Sequence, residues 1–154
     1  SPACDSPSMR RIVLALTTFA AVLAAATATL EAQSGNTITG FPAAEDGASL
    51  SFPVGEARLK VRFAGVTAPA PTAYPYGAWA HLALGDAIAG KEVTCRLSAD
   101  RRDAVCTTPG LGDLARWAVI NGFAVPEPGA AGDPYAKAAR DARAARRGIW
   151  GGTQ

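Results

Sequence analysis

The sequence predicts one domain of the mixed α+β class, in which short strands are joined by turns and followed by helices. Alternation of polar and apolar residues, as in residues 58–63 (RLKVRF), is typical of half-buried strands. Residues 135–147 have the Ala-rich composition and flanking signals of a helix. The 154 residues are 49% hydrophobic and 18% charged, which supports a packed core. Sixteen Gly and eleven Pro indicate many turns.

The N-terminal part has the pattern of a secretory signal peptide. Arg10 and Arg11 precede residues 12–28, an apolar run without charge that ends in small residues. Cleavage is expected after Ala28 or Ala32. The alternative is an uncleaved membrane anchor, because the run is close to the length needed to span a bilayer.

Three segments follow from this pattern. Residues 1–8 are expected to be a non-native or misannotated extension ahead of Met9, and residues 9–32 the signal peptide. Residues 33–154 then form the folded domain. The expected location is periplasmic or secreted, without stable membrane association once the signal peptide is removed.

The cysteine count changes when the leader is removed. Cys4 is lost, and Cys95 and Cys106 remain as an even pair in an exported protein. An oxidising compartment favours a disulfide between them, and the alternative is two buried thiols.

Strands and helices are predicted in a fixed order along the domain. Turn residues divide the strand-like runs into about five strands, at residues 37–43, 49–52, 58–63, 93–97 and 104–107. Helices are predicted at residues 77–89, 113–120 and 135–147, the last with Asp133 as N-cap and Pro134 in its first turn. About five strands and three helices fit a five-stranded OB-fold barrel with appended helices.

The aromatic residues are predicted mainly to fill the core. Trp79 and Leu82 are assigned to the apolar side of the first helix, and Trp117 and Trp150 are interpreted as core anchors. Tyr74 and Tyr76 fall in a Pro-rich loop, where loop packing is preferred over ligand stacking.

Five segments in this order resemble the bacterial thermonuclease, or staphylococcal-nuclease-like, family. They are VRFAGVTAP, AGKEVTC, DRRDAVC, GDLARWAVINGFAV and YAKAARDARAARRGIWGG, at residues 61–69, 89–95, 100–106, 112–125 and 135–152. The ordered set is more specific than any single segment. The resemblance covers residues 38–152 and implies an OB barrel that cleaves phosphodiester bonds with Ca²⁺.

The resemblance also implies that the catalytic carboxylates are missing. Ala48 and Thr67 stand where the family places calcium-binding carboxylates, and Ala70 stands where it places the general base. No catalytic residue, bound metal or cofactor is therefore expected, and Ca²⁺ would be implied only by an intact site. The mechanism requires hard oxygen ligands for calcium and a carboxylate to activate water.

Some charged residues of the family pattern persist. Arg62 matches a phosphate-binding arginine, and Arg101 or Arg102 is a second candidate, so the three form a possible anion-binding remnant. Arg62 is alternatively a solvent-facing residue or an ion-pair partner of Asp46. A rebuilt metal site would have to recruit Glu45 and Asp46, which flank the old metal turn, together with Asp100 and Asp103.

Three functions remain open from the sequence. The leading hypothesis is an exported small binding or structural module without calcium-dependent nuclease activity. The alternatives are an active divalent-metal-dependent phosphodiesterase with a rebuilt site and an accessory protein of envelope or exopolysaccharide biosynthesis. The net charge of +2 predicts at most weak binding of an anionic ligand or nucleic acid, and no protein partner is identified.

Overall fold

The computed structural model describes residues 35–152, and Asn36–Gln154 form one compact unit. The predicted extension and signal peptide lie outside the described residues. No helix within residues 35–152 combines the length and apolar character needed to cross a membrane.

Nine short strands lie within residues 35–152. Seven of them form one sheet, with the path β1-β6-β7-β4-β3-β2 and β8 paired to β7, while β5 pairs with β9. Their bounds are β1 Thr37–Gly40, β2 Ala43–Asp46, β3 Ser49–Val54, β4 Ala57–Phe63, β5 Val66–Thr67, β6 Val93–Leu97, β7 Asp103–Thr108, β8 Gly112–Asp113 and β9 Val125–Pro126.

The first predicted strand is divided in two. Instead of one strand over residues 37–43, β1 and β2 are separated by Phe41 and Pro42. Proline has no backbone N–H to donate to a sheet ladder, which accounts for the break. β1 pairs with β6 and β2 pairs with β3, so the two ends of the sheet path are consecutive in the chain. The ladders form an open path of six strands, with β8 attached to β7, and not a hydrogen-bonded ring of five.

Three α-helices confirm the mixed α+β class. They are α1 Tyr76–Ile88, α2 Leu114–Ile120 and α3 Ala136–Ala144. Asp113 caps α2 by accepting hydrogen bonds from the backbone N–H groups of Ala115 and Arg116 at 2.9 and 3.4 Å.

The start of the last helix differs from the prediction. Asp133–Tyr135 form a 3-10 turn ahead of α3, and the Asp133 side chain makes no capping hydrogen bond to it. The helix also ends earlier than expected, because Arg146 adopts a left-handed backbone conformation with φ of 51°.

The inward side of α1 also differs from the prediction. Gly77, Ala80, Leu84 and Ile88 are buried, whereas Trp79 is 52% and Leu82 62% exposed. The assignment of Trp79 and Leu82 to the core was wrong. Small residues on the buried side let the helix approach the sheet closely, since a Cβ on Gly47 would lie only 2.6 Å from the Cβ of Ala80.

The core lies between the sheet and the helices. Leu50, Phe52, Val61 and Phe63 contribute fully buried side chains from the β3–β4 hairpin. Helical side chains complete it, among them Leu84, Leu114, Val119 and Ala138. Within residues 35–152, the buried hydrophobic residues lie between Ala48 and Ala142, and most of them form one core cluster.

The predicted disulfide is confirmed. Cys95 and Cys106 are joined, and they face each other in the antiparallel register of β6 and β7. Both are completely buried.

A tyrosine–carboxylate contact ties α3 to the start of α2. The Tyr135 hydroxyl donates to Asp113 Oδ2 at 3.1 Å. Burial and then the Asp113 charge raise the pKa of Tyr135 to about 12. The unfolded chain loses this proton near pH 10, so the folded state holds it more tightly.

Stability is therefore expected to fall as pH rises from about 10 to about 12. The contribution is fully present below pH 10 and is lost as the folded tyrosine ionises. Thermal unfolding followed across this range checks the expectation. Tyr135→Phe should flatten that decline, and an equally steep decline in the variant would contradict it.

Candidate functional site

The candidate site surrounds Arg62, near the end of β4 where this strand pairs with β7. The Arg62 Nε and Nη2 groups donate to Asp103 Oδ1 at 3.0 and 2.9 Å. Glu127 Oε1 lies 4.0 Å from Arg62 Nη1. One guanidinium is thus flanked by two carboxylates, and the cluster carries one net negative charge when all three groups are ionised.

Strand pairing places these residues together. β4 and β7 are parallel, and Arg62 is in register with Asp103, although the two are 41 positions apart in sequence. The backbone N–H of Arg62 also donates to the Arg102 carbonyl at 2.9 Å. Glu127 follows β9, and its backbone N–H donates to the Gly65 carbonyl at 2.9 Å. Backbone hydrogen bonds thus position the segments that carry all three charged side chains.

The arginine is stabilised in its charged form. The hydrogen bonds to Asp103, and then the charge of that carboxylate, raise the pKa of Arg62 above its ordinary value. The Arg62 side chain is 55% exposed, so solvent screens the pair and its contribution to folding is small. Its main effect is to occupy the hydrogen-bonding groups that would grip an oxyanion.

Asp46 does not pair with Arg62, and its carboxylate instead holds a turn. Oδ1 accepts from the Ala48 N–H at 2.7 Å, and Oδ2 accepts from the Ser49 hydroxyl at 2.6 Å. Both oxygens are therefore engaged in local hydrogen bonds. The neighbouring Glu45 lies in β2 and is partly buried.

The three positions without carboxylates lie on two adjoining segments. Ala48 is buried in the turn before β3, and its carbonyl accepts from the Phe63 N–H at 2.8 Å. Thr67 ends β5 and is exposed, and Ala70 is exposed in the loop before α1. The two segments approach closely, because a Cβ on Gly47 would lie 3.3 Å from the Cβ of Ala68.

Arg101 and Arg102 are exposed in the turn between β6 and β7. Ser98 and the Arg102 N–H donate to Asp100 Oδ1, and these hydrogen bonds hold the pKa of Asp100 below its usual value. Arg101 lines a groove of about 510 Å³ that also includes Arg58 and Leu59. Only Arg102 contacts Arg62, through the backbone, so the three arginines do not converge through their side chains in the contacts described.

Sequence reasoning named Asp103 only as a carboxylate that a rebuilt metal site could recruit, and it missed both the contact of Asp103 with Arg62 and the presence of Glu127. The pairing of β4 with β7 determines the first contact, and no local pattern reveals such a parallel pairing. A usable signal for Asp103 was its position at the start of a strand that had to neighbour β4. Within residues 35–152, no group of three or more His, Cys, Asp or Glu side chains is placed to hold a metal ion.

Comparison with known proteins adds no assignment. No protein-family model matches the chain, and no curated protein shows significant similarity to it.

Proposed function

We propose that this protein is an exported, catalytically degenerate member of the staphylococcal-nuclease-like family, acting as a small binding or structural module. The observation that carries the proposal is the pairing of Arg62 with Asp103, because the arginine expected to bind phosphate donates two hydrogen bonds to a carboxylate of its own chain. The adjoining positions Ala48, Thr67 and Ala70 cannot supply a carboxylate.

The strand arrangement supports an OB-type architecture. If β1 and β2 are counted as one strand, the main path of the sheet has five strands. Its ladders then comprise the antiparallel hairpins β3–β4 and β6–β7, the parallel contact between β4 and β7, and a first strand shared between β6 and β3. β1 and β2 are the two ends of the sheet path, and only Phe41 and Pro42 separate them in the chain. This short connection favours a sheet that curls towards a barrel.

The missing groups are those with the largest catalytic effects. A positioned general base contributes typically about 10²- to 10⁴-fold, and a metal ion several kcal/mol of transition-state stabilisation. An exposed arginine already paired with a carboxylate replaces neither contribution. Asp46 is a poor substitute as a metal ligand, since both of its oxygens accept hydrogen bonds within the turn.

A cleavage assay tests the proposal. The chain from Gln33 onward, with its disulfide formed, is incubated with single- and double-stranded DNA and RNA in Ca²⁺, Mg²⁺, Mn²⁺ or EDTA. We expect no cleavage above the buffer rate. Metal-dependent cleavage that is lost in both Arg62→Ala and Asp46→Ala would refute the proposal and establish a rebuilt site.

Removing the internal carboxylates should expose an anion site. Asp103→Asn combined with Glu127→Gln removes the two carboxylates that lie within 4.0 Å of the Arg62 guanidinium. Phosphate affinity should increase by roughly tenfold, since a guanidinium binds such oxyanions with paired hydrogen bonds. Titration calorimetry measures the change.

The control for this variant removes the same two negative charges elsewhere. Glu56→Gln combined with Asp86→Asn should leave phosphate affinity nearly unchanged, because both side chains are exposed and make no recorded hydrogen bond to Arg62. Equal gains in the two variants would mean that overall charge, and not the release of Arg62, determines phosphate binding.

A further inference from the structure

Four of the five large hydrophobic side chains exposed in residues 35–152 are associated with α1 and the segments beside it. Phe41 is 64%, Tyr74 84%, Trp79 52% and Leu82 62% exposed. Phe41 and Leu82 line one groove of about 330 Å³, and Tyr76 packs edge-to-face against Trp79 with ring centroids 5.6 Å apart. Contiguous exposed apolar surface of this kind marks an interaction site more often than scattered hydrophobic residues do.

A basic surface continues from this apolar face. Gly152 contacts the Tyr76 hydroxyl, and the 3-10 turn Gly148–Trp150 packs against both α1 and α3. The guanidinium of Arg143 lies over the Trp150 ring, 4.2 Å from its centroid. The contacts therefore run from Trp79 through Tyr76 and the C-terminal turn to the end of α3.

The segment that contains α3 and the C-terminal turn is also the more basic part of the described residues. Residues 116–152 contain six Lys and Arg against three Asp and Glu, whereas residues 35–115 contain seven against eight. The basic side chains of this part are exposed, namely Arg116, Lys137, Arg140, Arg143, Arg146 and Arg147. Lys137 already neutralises the neighbouring Asp141 at 2.7 Å, and Asp86 is the acidic residue beside the groove of Phe41 and Leu82.

We propose that this aromatic–arginine face, formed by Phe41, Tyr74, Trp79, Leu82, Arg143, Arg146 and Arg147, docks reversibly on the surface of an anionic phospholipid bilayer. Tyrosine and tryptophan side chains suit the boundary between headgroups and acyl chains, because their rings are apolar and their tips polar. The arginines complement acidic headgroups, and each one near such a surface strengthens binding by about fivefold.

The aliphatic part of the face favours a bilayer over a nucleic acid. Leu82 and the edge of the Phe41 groove gain from contact with acyl chains, whereas a polynucleotide offers apolar contact mainly to aromatic rings through base stacking. The proposal differs from the expectation of no stable membrane association, because the attachment is peripheral and salt-sensitive and needs no spanning segment. It is independent of whether the Arg62 site retains any activity.

Vesicle co-sedimentation tests the proposal. The chain from Gln33 onward contains the core cluster of residues 48–139, and cooperative thermal unfolding checks that each variant is folded. The protein is mixed with vesicles of phosphatidylcholine alone or of phosphatidylcholine with added phosphatidylglycerol. We expect binding to the anionic vesicles that weakens as salt is raised, and little binding to the neutral vesicles.

Three variants locate the contact. Arg146→Glu with Arg147→Glu should weaken binding by at least about tenfold, and Trp79→Ala by about fivefold or more. Lys60→Glu with Arg96→Glu changes net charge equally at exposed strand positions away from the face, and should change binding less than about twofold.

Several results would overturn the proposal. They are absence of binding to anionic vesicles, equal loss in the two charge-reversal variants, and no effect of Trp79→Ala. The proposal would also fail if the same variants abolished binding of a single-stranded oligonucleotide, or self-association measured by light scattering, while vesicle binding stayed unchanged.

Discussion

Phe63→Ala is expected to lower the free energy of unfolding by about 3–5 kcal/mol. Phe63 is 1% exposed and ends β4, where it pairs with Ala104 of β7 and donates its N–H to the Ala48 carbonyl at 2.8 Å. Truncation leaves a cavity where the hairpin, the parallel strand and the candidate site meet. Urea denaturation followed by far-ultraviolet circular dichroism measures the loss.

The control is an apolar truncation at the surface of the same hairpin. Val54 lies in β3 and is 50% exposed, so Val54→Ala should change stability by no more than about 0.5 kcal/mol. If Phe63→Ala were equally mild, this side chain would not be the packing centre that its burial indicates.

Replacing both cysteines by serine is expected to cost about 3 kcal/mol of stability. The disulfide closes a loop with a sequence separation of 11 residues, and its loss frees the unfolded chain to adopt more conformations. Two hydroxyls would also be buried at positions that are completely inaccessible to solvent. Denaturation of the double variant and of the oxidised parent gives the difference.

Cys95→Ala with Cys106→Ala separates the two causes. This variant lacks the buried hydroxyls, so it should be more stable than the serine variant and still less stable than the parent. Stability equal to that of the oxidised parent would show that the cross-link contributes nothing to folding.

Local patterns predicted the strands that carry the core. The strands predicted at residues 58–63 and 93–97 correspond closely to β4 and β6. Polar and apolar residues alternate where one face of a strand is buried and the other is solvated. The cysteine pair was predicted from the expected export and the even cysteine count, and the strand register places the two residues opposite each other. The α+β class and the three helices followed from the same patterns, although boundaries shifted at Pro42 and Asp133.

The prediction for α1 failed for a different reason. An apolar residue on a helix indicates burial only if the surrounding structure covers it. The buried side of α1 combines the small residues Gly77 and Ala80, which allow close approach, with Leu84 and Ile88. Trp79 and Leu82 were therefore assigned to the wrong side. The Arg62–Asp103 pair could not be predicted from local sequence patterns either, because it depends on which strands become neighbours in the folded sheet.

The division of the first strand has a consequence for how the polypeptide reaches its native state. β1 finds its partner in β6, and the Thr39 and Thr94 hydroxyls that meet across this pair, 3.1 Å apart, are 55 positions apart in sequence. During synthesis β1 emerges before β6 and stays without that partner until Leu97 has followed. Closing such a long loop slows folding, and the waiting strand edge is the part of the nascent chain most open to pairing with another molecule.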